Sequence, residues 1–175
     1  MVDPQRWLSV DSFRGWKVKK YLLLAVSLLF MHLAIAGSEA VKPYRKGDWQ
    51  ALVNASSKPL AVHFWGVTCA PCAREMPEWG KFLAKNKNKN ANVIFIQVDE
   101  VAPESALKML TKANLQSAKN YSLVSPFDEY MRYEVDAKWR GETPITILID
   151  KNGKAIRKTG PIDFYQLQNW FNSQG

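Results

Sequence analysis

Trp65-Gly66-Val67-Thr68-Cys69-Ala70-Pro71-Cys72 decides the reading of this chain. The apolar run Leu60-Ala61-Val62-His63-Phe64 before it has the character of a buried strand, and Ala73-Arg74-Glu75-Met76-Pro77-Glu78-Trp79 after it reads as a helix. Cys69 and Cys72 are the only cysteines, so every thiol sits at one strand-to-helix junction. Backbone N–H groups at a helix start lack intrahelical acceptors and favour negative charge beside them. A cysteine placed there loses its proton more readily, and a second one three residues on can close a disulfide with it. The stretch predicts dithiol–disulfide exchange.

Two plainer readings of the pair fit poorly. A structural zinc site needs four ligands, and beyond the two cysteines only His32, in an apolar leader, and His63 are on offer. A purely structural disulfide across so short a loop removes little entropy from the unfolded chain. No metal or other cofactor is expected.

Upstream, Arg6, Arg14, Lys17, Lys19 and Lys20 precede an apolar run from Tyr21 to Ala36, and Ala34-Ile35-Ala36 suits cleavage, with Ser38-Glu39-Ala40 as a second candidate. Residues 1–36 read as a signal peptide or an uncleaved signal anchor. The run is shorter than the roughly 20 residues of a full span. Either way the globular part, 37–175, is exported, with the periplasm as the expected compartment. There it is soluble after cleavage or held at the inner membrane by the leader. Outside the cytosol a two-cysteine protein has one reactive pair and needs an oxidant or a dedicated reductant.

The whole chain carries a net charge of +8, of which the leader's five basic and two acidic residues supply +3. The remaining excess is scattered without clustered arginines and interleaved aromatics, which predicts a solvated face and no nucleic-acid partner.

Along the rest of the chain, Asp48 is the expected cap of a short helix bearing Trp49, Leu52 and Val53. A strand spans Leu60 to Trp65, and the cysteine-bearing helix runs to about Asn86, kinked at Pro77. The polar run from Asn86 to Asn90 reads as a loop. A second strand covers Val93 to Val98, a helix starts at Pro103, and Pro126 to Val135 reads as helical. A third strand, Ile145 to Ile149, turns at Asp150-Lys151-Asn152-Gly153 into an edge strand from Ala155 to Lys158. Asn152-Gly153 is expected to supply the positive φ angles of that turn. Asp163 caps a last helix with Phe164, Leu167, Trp170 and Phe171 inward. The order predicts an α/β fold, a mixed sheet with helices on both faces.

These residues resemble exported thioredoxin-fold proteins of the TlpA/ResA/CcmG type over nearly the whole mature length. The resemblance rests on Phe64-Trp65, on Cys-x-Pro-Cys at Cys69 to Cys72, on Glu75-Met76-Pro77, on Pro144 before a strand ending Ile149-Asp150, and on Gly160 before the last helix. It implies a thioredoxin-like fold, Cys69 as the attacking thiolate, Cys72 as the resolving thiol, and a redox-active disulfide between them. It also implies that Thr143-Pro144 forms the cis-proline loop against which substrate backbone pairs. Glu75 matches an acidic position that tunes the pair in this branch. Where thioredoxins place a buried Asp, His63 stands here, as a proton acceptor for Cys72 or as a packed imidazole satisfied by a backbone carbonyl. Thr68 replaces the usual Trp before the first cysteine. Asp136 to Glu142 lengthens the approach to Pro144, with Trp139 and Arg140 as a specificity surface or a mobile insertion.

The uncharged Ala70-Pro71 pair stabilises a thiolate less than a charged or His residue would, so the expected activity is that of a protein-disulfide reductase. The resemblance implies oxidised exported proteins as substrates, apocytochrome c among them, and a membrane reductase of the DsbD/CcdA kind as electron donor. The alternatives are a disulfide oxidase or isomerase of the same fold, and a copper-binding module of the Sco kind. That last pattern spaces its cysteines one residue further apart.

Overall fold

The computed structural model describes residues 41–87 and 91–174, which build one six-stranded sheet with five helices. The expected leader, 1–36, and Asn88 to Asn90 of the polar run lie outside the described residues. In chain order the elements are β1 (Lys42–Tyr44), α1 (Trp49–Asn54), β2 (Leu60–Trp65), α2 (Ala70–Lys85), β3 (Asn92–Gln97), α3 (Pro103–Lys112), β4 (Lys119–Leu123), α4 (Glu129–Val135), β5 (Ile145–Ile149), β6 (Ala155–Thr159) and α5 (Phe164–Asn172). Among the described residues no helix is long and apolar enough to cross a membrane.

The strands lie in the order β1-β4-β3-β2-β5-β6. Pairing is parallel from β1 through β2 and antiparallel across β2–β5 and β5–β6, so the sheet is mixed. Central strands β2 and β5 are buried along their whole length, which is why they read as unbroken apolar runs.

Side chains alternate across each strand, and that period of two sorts the core into two clusters. Leu60, Val62 and Phe64 of β2 pack with Trp49 of α1, Met131 of α4 and Trp139 on one face. Ala61 and Trp65 face the other way, toward Cys72, Met76 and Trp79 of α2, Ala106 and Leu110 of α3, and Leu167 and Phe171 of α5. Helix α2 approaches the end of α3 so closely that a Cβ on Gly80 would stand 1.8 Å from the Ala113 carbonyl oxygen.

Several local expectations need correction. Strands β1 and β4 are absent from the sequence reading. Asp48 does not cap α1 with its side chain; its Oδ2 accepts from the Arg45 N–H at 2.8 Å instead. At the β5–β6 turn only Gly153 is left-handed, with φ +84°. Asp150 Oδ1 holds the turn by accepting from the N–H groups of Asn152 and Lys154, so Asn152 keeps an ordinary conformation.

Candidate active site

Strand β2 delivers its chain to the C-terminal edge of the parallel strands, and α2 starts there with Cys69 as its N-cap and Pro71 in its first turn. Proline suits that place, because its missing N–H would have no partner and its φ is already helical. Cys69 Sγ accepts from the Cys72 N–H at 3.2 Å, so the sulfur sits where the helix end is most electropositive. The two sulfurs are bonded, 2.09 Å apart. Cys69 is half-buried and Cys72 is fully buried in the core.

Opposite the pair, the chain enters β5 through Thr143-Pro144, whose peptide bond is cis; a second cis bond precedes Pro59. Cys69 Sγ lies 3.5 Å from the Thr143 carbonyl oxygen. The Pro144 carbonyl accepts from the Gly160 N–H at 2.9 Å, tying the loop to the end of β6.

Glu75, one turn along α2 from the cysteines, is buried with 5 % exposure. Its Oε1 accepts from the Ile162 N–H at 2.7 Å and from the Trp79 indole at 3.2 Å. Burial pushes the carboxyl up to about 7, against the lowering effect of those two bonds. Its Oε2 has no hydrogen-bond partner and points at His63 Nε2, 3.9 Å away and equally unpartnered. His63 is fully buried under Trp79, and burial lowers its pKa to about 3, so the ring is neutral. Its Nδ1 meets the Thr146 hydroxyl at 3.0 Å, not the backbone carbonyl expected of a packed histidine. Glu75, His63 and Thr146 thus place two titratable groups and a hydroxyl in the core that also holds Cys72.

The neighbouring sequence candidates divide. Trp139 is no surface residue: it is 3 % exposed, stacks near Phe64 and Phe127, and donates its indole N–H to the Glu142 carbonyl at 2.8 Å. Its aromatic bulk fills the core under the approach to Pro144, while Arg140 stays exposed. Thr68 is held by a residue the sequence reading omits. Asp99, just past β3, accepts from the Thr68 N–H at 2.8 Å and from its hydroxyl at 2.9 Å. The available signal is a carboxylate ending a buried strand that pairs with β2, since such a residue emerges beside the motif. Among the described residues no group of three His, Cys, Asp or Glu side chains is placed to hold a metal ion.

Comparison with known proteins agrees with this geometry. The profile of the AhpC/TSA family matches residues 41–160. A curated relative, the thiol-disulfide oxidoreductase ResA of Bacillus cereus, is 31% identical over 108 residues, covering 61% of this chain and 57% of its own length. The chain therefore spans little more than half of that relative. Among solved structures, a thioredoxin-family thiol:disulfide interchange protein of Chlorobium tepidum superposes with a TM-score of 0.55 at 16% identity, covering 66% of this chain and 78% of that one. A DsbE-type thiol:disulfide interchange protein from the same organism gives 0.53 at 23% identity, with 70% and 84% covered. The fold is thioredoxin-like.

Proposed function

This chain belongs to the AhpC/TSA family, and we propose that it acts there as a protein-disulfide reductase with Cys69 and Cys72 as its working dithiol. One observation carries the reading. The two sulfurs meet at a helix N-terminus, one half-exposed and one buried, with the Thr143 carbonyl beside the exposed one.

In the reduced protein the Cys69 thiolate attacks a substrate disulfide. One substrate sulfur leaves and takes a proton, and a mixed disulfide remains. Cys72 then loses its proton and attacks Cys69, releasing the second substrate thiol and closing the intramolecular disulfide. Two electrons pass to the substrate, so a reductant must return two electrons and two protons before another cycle. The Thr143-Pro144 loop offers backbone to the substrate chain next to the reacting sulfur. Glu75, with His63 behind it, is the proton acceptor for buried Cys72: a carboxyl that titrates near 7 can take and return a proton at neutral pH.

The basic segment and apolar run of residues 1–36 support export, with residues 37–175 as the working domain. In an oxidising compartment the reductant is a membrane protein of the DsbD/CcdA kind. The substrates are oxidised exported proteins, apocytochrome c in its disulfide form among them.

Equilibration with glutathione and dithiothreitol, read by thiol trapping, tests the direction. With the uncharged Ala70-Pro71 spacer the expected potential lies nearer the thioredoxin value of about −270 mV than the oxidase value of about −120 mV. A value near the oxidase end would make the protein an oxidase.

A further inference from the structure

A second polar network touches the loop before Cys69, and nothing in the exchange reaction described above uses it. It begins at Ser122 of β4, whose hydroxyl donates to the Gln97 side-chain oxygen at 2.6 Å. Gln97, at the end of β3 and 1 % exposed, turns its amide N–H groups onto the Asp99 side chain and carbonyl. Asp99 in turn accepts from the Thr68 N–H and hydroxyl. A buried amide oriented at both ends is a costly feature for a core to keep unless its partner must be held.

Gly66 shows how closely that partner approaches: a Cβ there would stand 3.1 Å from Asp99 Oδ2. The carboxylate therefore lies against the backbone of residues 66 to 68, next to the cysteine whose extended backbone presents its sulfur to the helix end. Burial acts to raise the Asp99 pKa, but the donated hydrogen bonds outweigh it and hold the group below its ordinary value. Asp99 is ionised wherever Cys69 titrates. The charged neighbours Arg74, on α2, and Glu100, next in the chain, are exposed, and neither forms an ion pair with Asp99. The buried titratable groups on α2 and β2, Glu75 and His63, are engaged with Ile162, Trp79 and Thr146.

We propose that Asp99 is a positioning residue for Cys69 whose fixed negative charge also restrains thiolate formation there. It holds the loop that aims the sulfur at the helix N-terminus while opposing part of the stabilisation that terminus gives an anion. Helix start and carboxylate act in opposite directions, and the balance favours a moderately reactive, reducing thiol. The inference rests on Cys69 being the attacking thiol, as proposed above.

The test is the pH profile of iodoacetamide alkylation at Cys69 in the reduced protein, mapped by mass spectrometry. Asp99→Asn removes the charge and keeps the shape. The Gln97 amide can turn over to accept from the new side-chain amide and donate to Ser122, at the loss of its own bond to the residue 99 carbonyl. The alkylation midpoint should fall by about half a pH unit, roughly a threefold rise in thiolate fraction, as expected for one charge lost across a solvated gap. Ser122→Ala loosens the same network without touching the charge and should leave the midpoint in place. Salt near 1 M should narrow the gap between the wild-type and Asp99→Asn midpoints, because screening then acts within about 3 Å and the helix-end contribution that it also weakens is common to both proteins. An unmoved midpoint in Asp99→Asn, or an equal shift in Ser122→Ala, would overturn the charge role. Label found mainly on Cys72 would instead overturn the assignment of the nucleophile. Neither readout depends on which protein is the substrate.

Discussion

Each face of the sheet carries its own cluster of buried aromatic and aliphatic side chains, and the two differ in what lies within it. On the face covered by α1 and α4, Leu60, Val62, Phe64, Ile145, Ile147 and Trp139 form an apolar cluster; the buried Tyr44 phenol there is kept protonated by its burial and turns its hydroxyl toward Glu134 at 3.5 Å. On the face covered by α2, α3 and α5 the same strands contribute His63 and Thr146, and α2 contributes Glu75, at positions a purely structural core would fill with hydrocarbon. Burying a polar atom without a partner costs free energy, and His63 Nε2 and Glu75 Oε2 are both unpartnered. One face holds the sheet together, while the other gives up some stability to keep proton-carrying groups in the core that holds Cys72.

That contrast breaks most readily on the apolar side. Phe64→Ala removes a fully buried ring packed against Trp49 and Trp139 and should cost about 3–5 kcal/mol. Chemical denaturation would read the loss. The Cys69–Cys72 reduction potential of the folded fraction should not move, because Phe64 points away from the cysteine-bearing face. A shifted potential would mean that the two clusters are coupled through the strand.

The polar side has a distinctive pH signature. Burial raises Glu75 from 4.5 to about 7 and lowers His63 from 6.5 to about 3. Between about pH 4.5 and 6.5 the native pair holds one proton, on Glu75, and the unfolded pair also holds one, on His63. Their proton counts match, so the pair adds no pH dependence there. Below 4.5 the unfolded chain takes a second proton that the native state refuses until about 3, and stability falls with falling pH by roughly 2 kcal/mol. Above 6.5 the native state still holds a proton the unfolded chain has released, and stability falls slightly with rising pH up to about 7. In His63→Asn only Glu75 remains: stability should be flat below 4.5 and drop by about 3 kcal/mol as pH rises from 4.5 to 7. Denaturation across pH 3–8, taken as variant minus wild type, isolates the pair. A plateau that survives in His63→Asn would show that the two groups do not compensate.

The legibility of the molecule in its sequence follows the same division. Apolar periodicity locates β2, β3 and β5 and the inward faces of α2 and α5, because burial there is a property of single residues. Strand β4, Lys119-Asn120-Tyr121-Ser122-Leu123, looks like a loop because its polar groups find partners only in the fold: Asn120 donates to the Leu115 and Ala118 carbonyls, and Ser122 to Gln97. Strand β1 is three residues with a proline and exists because Tyr44 is buried and its carbonyl receives the Val124 N–H. The cysteine spacing marks the strand–helix junction directly. Burial of Glu75 does not show, since helical spacing gives its side of α2 but not that α5 and the Ile162 N–H close over it. Trp139 is misread for the reverse reason: a polar neighbourhood in sequence, Asp136 to Glu142, hides a residue that folds inward.

A smaller effect separates bonding from charge at Glu75. Glu75→Ala leaves the Ile162 N–H and the Trp79 indole without their acceptor and should cost roughly 2 kcal/mol at pH 6, where the wild-type carboxyl is mostly protonated. Glu75→Gln keeps an oxygen for the same donors and should cost less than half as much. It should also abolish the stability change between pH 6.5 and 7. If both variants cost the same, the carboxyl group itself matters at this position, and neither its volume nor a single acceptor oxygen, both of which Gln keeps.

The smallest effect concerns the cover over that carboxyl. Asp163 caps α5, its Oδ1 accepting from the N–H groups of Tyr165 and Gln166 at 2.9 and 3.0 Å. Its charge also suits the positive end of the helix. Asp163→Ala should cost about 1 kcal/mol, the ordinary value of an N-cap. The informative part is what accompanies that loss. Ile162, whose N–H binds Glu75, is the residue just before Asp163, so a frayed start to α5 admits water to the carboxyl and weakens the burial that raises it. The Glu75 titration, followed by the carboxyl infrared band in the wild type and Asp163→Ala, should therefore move down toward the ordinary carboxylate range. A cap that costs its 1 kcal/mol while leaving the titration near 7 would show that Trp79 and the strand beneath keep Glu75 dry without help from α5. The polar face would then be insulated by the sheet and α2 alone.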